Sequence, residues 1–128
     1  MATNVYYYGI VTPSDSLASF CNRGCVAGLS SLSSDPENDY VRGSIGLGYD
    51  GDNAVGTFVH EVGHAHGRRH APCGLGRGQE SDPGYPYNGG TLGVWGYDLD
   101  RKILIDPNEY KDLMSYCDPR WISDYQYD

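Results

Sequence analysis

The stretch His60-Glu61-Val62-Gly63-His64-Ala65-His66-Gly67-Arg68-Arg69-His70 holds all four histidines of a 128-residue chain. On a helix, His60 and His64 stand one turn apart, so both imidazoles project from one face and can hold a single metal ion. Gly67 falls where helices commonly end in a left-handed backbone conformation that glycine adopts without steric cost. A turn at that point returns His70 as a third ligand, where a continued helix would carry it away. Three imidazoles leave the fourth position of Zn²⁺ open to water, the arrangement of a catalytic rather than a structural site. Glu61, next to the first ligand, is then placed as a general base and not as a ligand. His66 is expected at the surface or behind the ligands. Five specified residues at this spacing should arise by accident far less than about once in ten thousand chains of this size, so the pattern carries the functional reading.

The length suits one domain with one active site. The formal net charge is -8, and the nine Lys and Arg are scattered apart from the Arg68-Arg69 and Arg101-Lys102 pairs. That balance counts against a nucleic-acid partner or a basic membrane-docking face. Eighteen Gly, seven Pro and twelve Tyr against two Phe and two Met point to a loop-rich fold with half-exposed aromatics, which suits an exported protein. Cys21, Cys25, Cys73 and Cys117 fit neither zinc-ribbon nor CxxC redox spacing and read as disulfides of an oxidising compartment, with three pairings open. The first residues lack the charged start and apolar run of a signal peptide, and no run of about 18 apolar residues could span a membrane. Export therefore implies a leader ahead of this chain, with Met1-Ala2 as additions.

Along the chain, residues 5–11 are β-branched and aromatic and read as a buried strand. A short helical turn is expected within 14–20, a second strand over 24–29 and a loop over 30–39. Residues 42–49 alternate Gly or Ser with larger side chains, a pattern that lets another backbone approach closely, and read as an edge strand. Residues 54–66 read as one helix with an apolar face of Val55, Phe58, Val59 and Val62, capped by Asn53 or Asp52. A Gly-, Pro- and Tyr-rich loop over 71–90 precedes a hairpin of 92–97 and 102–105. Asp106-Pro107 should open a short helical segment, and a last helical turn is expected around 121–125. Asp50, Asp52, Asp98 and Asp100 could be considered for Ca²⁺, but two acids on a turn fall short of the six to eight oxygens it takes.

The motif His60-Glu61-x-x-His64-x-x-Gly67-x-x-His70 resembles that of the metzincin clan of zinc endopeptidases, and Asp112-Leu113-Met114-Ser115-Tyr116 looks like the clan's methionine turn. The resemblance implies an α+β, metzincin-like zincin fold. In it a small twisted mixed sheet packs on the active-site helix, followed by an irregular C-terminal subdomain. It implies a single catalytic domain over 1–128, with subdomains of about 1–67 and 68–128. Met114 would pack beneath the metal, and Tyr116 would help stabilise the oxyanion. Substrate would lie along the edge strand at Ser44, Ile45, Gly46 and Leu47. Arg120 would lie in the specificity pocket and favour an acidic side chain if it points inward.

Given that resemblance, pairing Cys73 with Cys117 would clamp the third ligand's loop to the methionine turn, leaving Cys21 with Cys25 to close a small loop. The expected protein is a secreted, monomeric zinc endopeptidase with one Zn²⁺, acting on protein or peptide substrates. The rival readings are a zinc-stabilised module that binds a protein or glycoprotein without cutting it, and a hydrolase of a non-peptide amide or ester.

Overall fold

The computed structural model describes residues 5–33, 35 and 37–128. Met1 and Ala2, read above as additions, lie outside the described residues, as do residues 34 and 36 of the expected 30–39 loop. Small sheets and a few helices make the fold α+β, as expected. The backbone divides into two compact units, Met1–Arg68 and Arg69–Asp128.

In the first unit, strands β1 (Tyr7–Val11), β2 (Gly28–Ser30) and β3 (Gly43–Leu47) form a mixed sheet in the order β1-β3-β2. β1 runs parallel and β2 antiparallel to β3. Strand β3 is therefore central, which corrects the edge-strand expectation for residues 42–49. Its backbone donors and acceptors are taken on both sides, so a substrate pairing as an added strand with Ser44, Ile45, Gly46 and Leu47 loses its premise. The alternation of small and large residues serves the close approach of helix α2 (Asp52–Ala65) instead. Ser44 is buried with its hydroxyl donating to the Glu61 carbonyl at 3.1 Å, whereas Ile45 on the opposite face is exposed.

Strand β1 is also corrected, because it lies at an edge of the sheet and is largely exposed, Ile10 to 70%. A β-branched, aromatic run suits any pleated surface, so composition alone does not distinguish a buried strand from an edge strand. The short helix α1 (Leu17–Phe20) forms as expected, capped by the Ser16 hydroxyl, which accepts from Ser19 N at 3.2 Å. Helix α2 departs in two respects. Gly51 occupies its N-cap, and neither Asp52 nor Asn53 caps it. Val55 and Phe58 of the expected apolar face are exposed, while the buried positions are His60, Glu61, His64 and Ala65.

The second unit opens with the loop that carries His70. A 3₁₀ turn at Asn88–Gly90 precedes the hairpin of β4 (Gly96–Asp98) and β5 (Ile103–Ile105), shorter at its start than expected. Asp98 organises the hairpin turn, its Oδ1 accepting from the backbone N of Asp100 and of Arg101, each at 2.9 Å. Turn chemistry thus occupies that carboxylate, and nothing among the described residues supports a Ca²⁺ site there or at Asp50 and Asp52. After Asp106-Pro107 there is one turn and no helix. Strands β6 (Lys111–Asp112) and β7 (Arg120–Trp121) pair in parallel, and helix α3 (Asp124–Tyr127) is capped by Ser123. Ala71, Leu92, Ile105 and Met114 form the buried apolar core of this unit.

Candidate active site

Helix α2 presents His60 and His64 together, their ring centroids 4.8 Å apart and nearly perpendicular. The Nδ1 of His64 lies 2.7 Å from the Arg68 carbonyl oxygen. A carbonyl only accepts, so the proton sits on Nδ1 and the lone pair of the neutral ring lies on Nε2, the state a metal ligand needs. Burial lowers the pKa of His64, opposed by that hydrogen bond, and so favours the neutral ring. The helix ends at Ala65, and Gly67 takes φ +83, the left-handed turn expected of it. His66 is exposed, stacked on Tyr6 at 3.9 Å and bonded through Nδ1 to the Val62 carbonyl at 2.8 Å. It does not belong to the cluster of His60, His64 and His70.

Glu61 occupies a slot that the sequence reading missed. Gly28 and Gly46 face each other across the β2–β3 ladder. A methyl group on Gly28 would fall 2.5 Å from Glu61 Cγ and 2.7 Å from Oε1, and one on Gly46 would collide with the Tyr8 hydroxyl. Two residues without side chains thus leave room for the Glu61 side chain and the Tyr8 ring. Burial in this slot pushes the Glu61 carboxyl up to about 7, the range of a general base working at neutral pH. The Tyr8 hydroxyl is buried without a hydrogen-bond partner among the described residues, and its pKa is raised by burial and by the Glu61 charge.

In the second unit, His70 is pinned through its backbone: its carbonyl accepts from Asp82 N at 2.7 Å, and it bridges to Ser81. The next residue, Ala71, donates from its N to the Met114 carbonyl at 3.1 Å. Met114 is fully buried. Its turn is built on Asp112, a buried carboxylate whose Oδ1 accepts from Met114 N at 2.7 Å and whose Oδ2 accepts from Ser123 N at 2.9 Å. Disulfides join Cys73 to Cys117 and Cys21 to Cys25, the pairing expected. Tyr116 lies with its hydroxyl 3.0 Å from His70 Nε2. Arg120 bonds through Nε to Asp118 at 2.8 Å, so its charge is already engaged by a neighbouring carboxylate.

His60, His64 and His70 each offer one imidazole nitrogen, and these nitrogens lie within 4.8 Å of one another, a donor set that could hold one metal ion. Three imidazoles suit zinc among the common biological metals. A donor set of this kind with a carboxylate one residue from the first ligand is that of a metallopeptidase. A family model described as Peptidase M66 matches residues 27–121, and the chain belongs to the peptidase M66 family.

The chain is similar to the protein named Dictomallein from Burkholderia mallei (strain SAVP1) and from Burkholderia pseudomallei (strain 668), at 43% identity over 54 residues in each case. That match covers 41% of this chain but 7% of the relative's length. No solved structure matches. Two disulfides fit an oxidising compartment. Among the described residues no helix is long and apolar enough to cross a membrane.

Proposed function

We propose that this chain is a secreted, zinc-dependent endopeptidase of metzincin type, working as a monomer and as a single catalytic domain with parts of about 1–67 and 68–128. The observation that carries the reading is the His60, His64 and His70 donor set, in a chain of the peptidase M66 family, with Glu61 on the same helix as the first two ligands. Zinc held by these imidazoles would supply Lewis acidity toward a water molecule and the substrate carbonyl. Glu61 takes the proton that the attacking water loses and passes it to the nitrogen of the departing amine, so that a carboxylate and an amine leave. Its raised pKa makes both halves of that transfer accessible near neutral pH. Tyr116 donates its hydroxyl proton in a hydrogen bond to the carbonyl oxygen as negative charge gathers there. His64 is held as a neutral ligand by the Arg68 carbonyl, and Met114 supports the backbone beside His70.

The zinc-loaded chain incubated with casein should produce fragments, lose that activity to a chelator and regain it with added zinc. Intact casein in every arm, alongside retained binding to a protein or glycoprotein, would favour the rival binding module. Cleavage of simple amides or esters alone would move the substrate class and keep the chemistry.

A further inference from the structure

Tyr116 is served by a side chain that lies far from it in sequence and outside every motif. Gln79 Nε2 donates to the Tyr116 hydroxyl at 3.0 Å, and Gly76 N donates to Gln79 Oε1 at 2.6 Å. The second bond fixes the orientation of the amide. A backbone N–H only donates, so the atom it meets is the oxygen, and the NH₂ must face the tyrosine. Gln79 is itself held in place, because its backbone N returns a hydrogen bond to the Gly76 carbonyl at 3.1 Å and closes the turn. The far end of the loop is tied as well: Tyr116 N donates to the Cys73 carbonyl at 2.9 Å, next to the Cys73–Cys117 disulfide.

We propose that Gln79 is a positioning residue that sets which way the Tyr116 hydroxyl proton points; this rests on the reading of Tyr116 as the oxyanion's hydrogen-bond donor. Because the amide can only donate at this contact, the tyrosine oxygen accepts from it. The phenolic proton is thereby turned toward other partners, of which His70 Nε2 lies 3.0 Å away. Tyr116 is 45% exposed, so without the amide, water could bond the hydroxyl with either polarity. An oxyanion donor is effective only when its proton already points at the site of developing charge. Gln79 removes the orientations in which that proton points back toward its own loop.

The test uses the zinc-loaded chain, a peptide substrate and the variants Gln79→Glu, Gln79→Leu and Tyr116→Phe. Glutamate is nearly isosteric but can only accept, so it should draw the phenolic proton onto itself. Gln79→Glu should then lower kcat about as far as Tyr116→Phe, roughly a hundredfold as for loss of an oxyanion donor. Gln79→Leu, which removes the amide donor without supplying an acceptor, should cost about tenfold. KM and zinc stoichiometry should stay near the parent values, and neither Gln79 change should lower kcat further in the Tyr116→Phe background.

A readout independent of turnover is the Gln79 side-chain amide resonance of the ¹⁵N-labelled chain, which should shift and exchange faster with solvent in Tyr116→Phe. Unchanged amide signals, a fully active Gln79→Glu variant, or equal losses with and without the tyrosine hydroxyl would each overturn the proposal. Full activity of Tyr116→Phe, with the amide signals shifted as expected, would instead remove the catalytic role of Tyr116 while leaving the contact itself intact.

Discussion

Gly28 lies so close to Glu61 that a methyl group placed on it would stand 2.5 Å from the carboxylate's Cγ. The neighbouring contact is Thr57 Cγ2 at 2.6 Å, so the added carbon meets the helix on two fronts. Gly28→Ala should therefore push the Glu61 side chain out of its slot while leaving the imidazoles on their helix face. A displacement of about 1 Å in a catalytic group can cost on the order of a hundredfold in rate. Steady-state kinetics of the zinc-loaded variant should show kcat reduced roughly 10- to 100-fold with one zinc still bound. Unaltered kcat would mean that the slot does not position the base.

The same burial has a consequence for stability against pH in the metal-free chain. Glu61 rises from an ordinary value of 4.5 to about 7 on folding, so between those values the folded state holds a proton that the unfolded state has released. Stability from this group is fully present below about 4.5 and is lost as pH rises through about 7. Denaturant titrations of the parent chain and Glu61→Gln should thus diverge as pH increases across that window, the variant becoming relatively more stable. A constant difference, or one of opposite sign, would contradict the burial argument.

The two disulfides should differ in their contribution. Cys73 and Cys117 are 44 residues apart, and Cys21 and Cys25 are four apart. The loop-entropy relation assigns about 4 kcal/mol to the long closure and about 2 kcal/mol to the short one. Replacing Cys73 and Cys117 with serine should lower the denaturation midpoint more than replacing Cys21 and Cys25. Equal shifts would show that strain or residual unfolded structure dominates.

Asp112 joins the turn at Met114 to the residue that caps α3, accepting from Met114 N and Ser123 N while wholly buried. Asp112→Ala would leave two buried N–H donors without their acceptor and should cost roughly 3 kcal/mol or more. Asp112→Asn keeps one acceptor and should cost less. Chemical denaturation of the two variants checks the order, and an alanine variant as stable as the parent would contradict it.

The helix, the break at Gly67 and the cluster of His60, His64 and His70 were legible because each follows from spacing within a few residues. Cys73–Cys117 became legible from the likeness of residues 112–116 to a methionine turn. What the sequence did not disclose depends on partners distant along the chain. Whether residues 43–47 sit at the edge or the centre of a sheet is decided by β1 and β2, which no local pattern in β3 encodes. The alternation in that strand was real, but it serves contact with helix α2. The apolar face drawn on α2 failed for a related reason. Helix periodicity locates a stripe, and here Val55 and Phe58 stay exposed while the histidines and Glu61 are buried. The roles of Gly28, Asp112 and Gln79 rest on single long-range contacts that leave no trace in composition or spacing.

The most direct test compares the zinc-loaded parent and Glu61→Gln on a proteome-derived peptide library, with bound zinc counted by native mass spectrometry in both. The account expects one zinc in each protein, cleavage products from the parent, and turnover in the variant lower by several orders of magnitude. Equal cleavage by the two proteins, or no zinc on the parent, would contradict it.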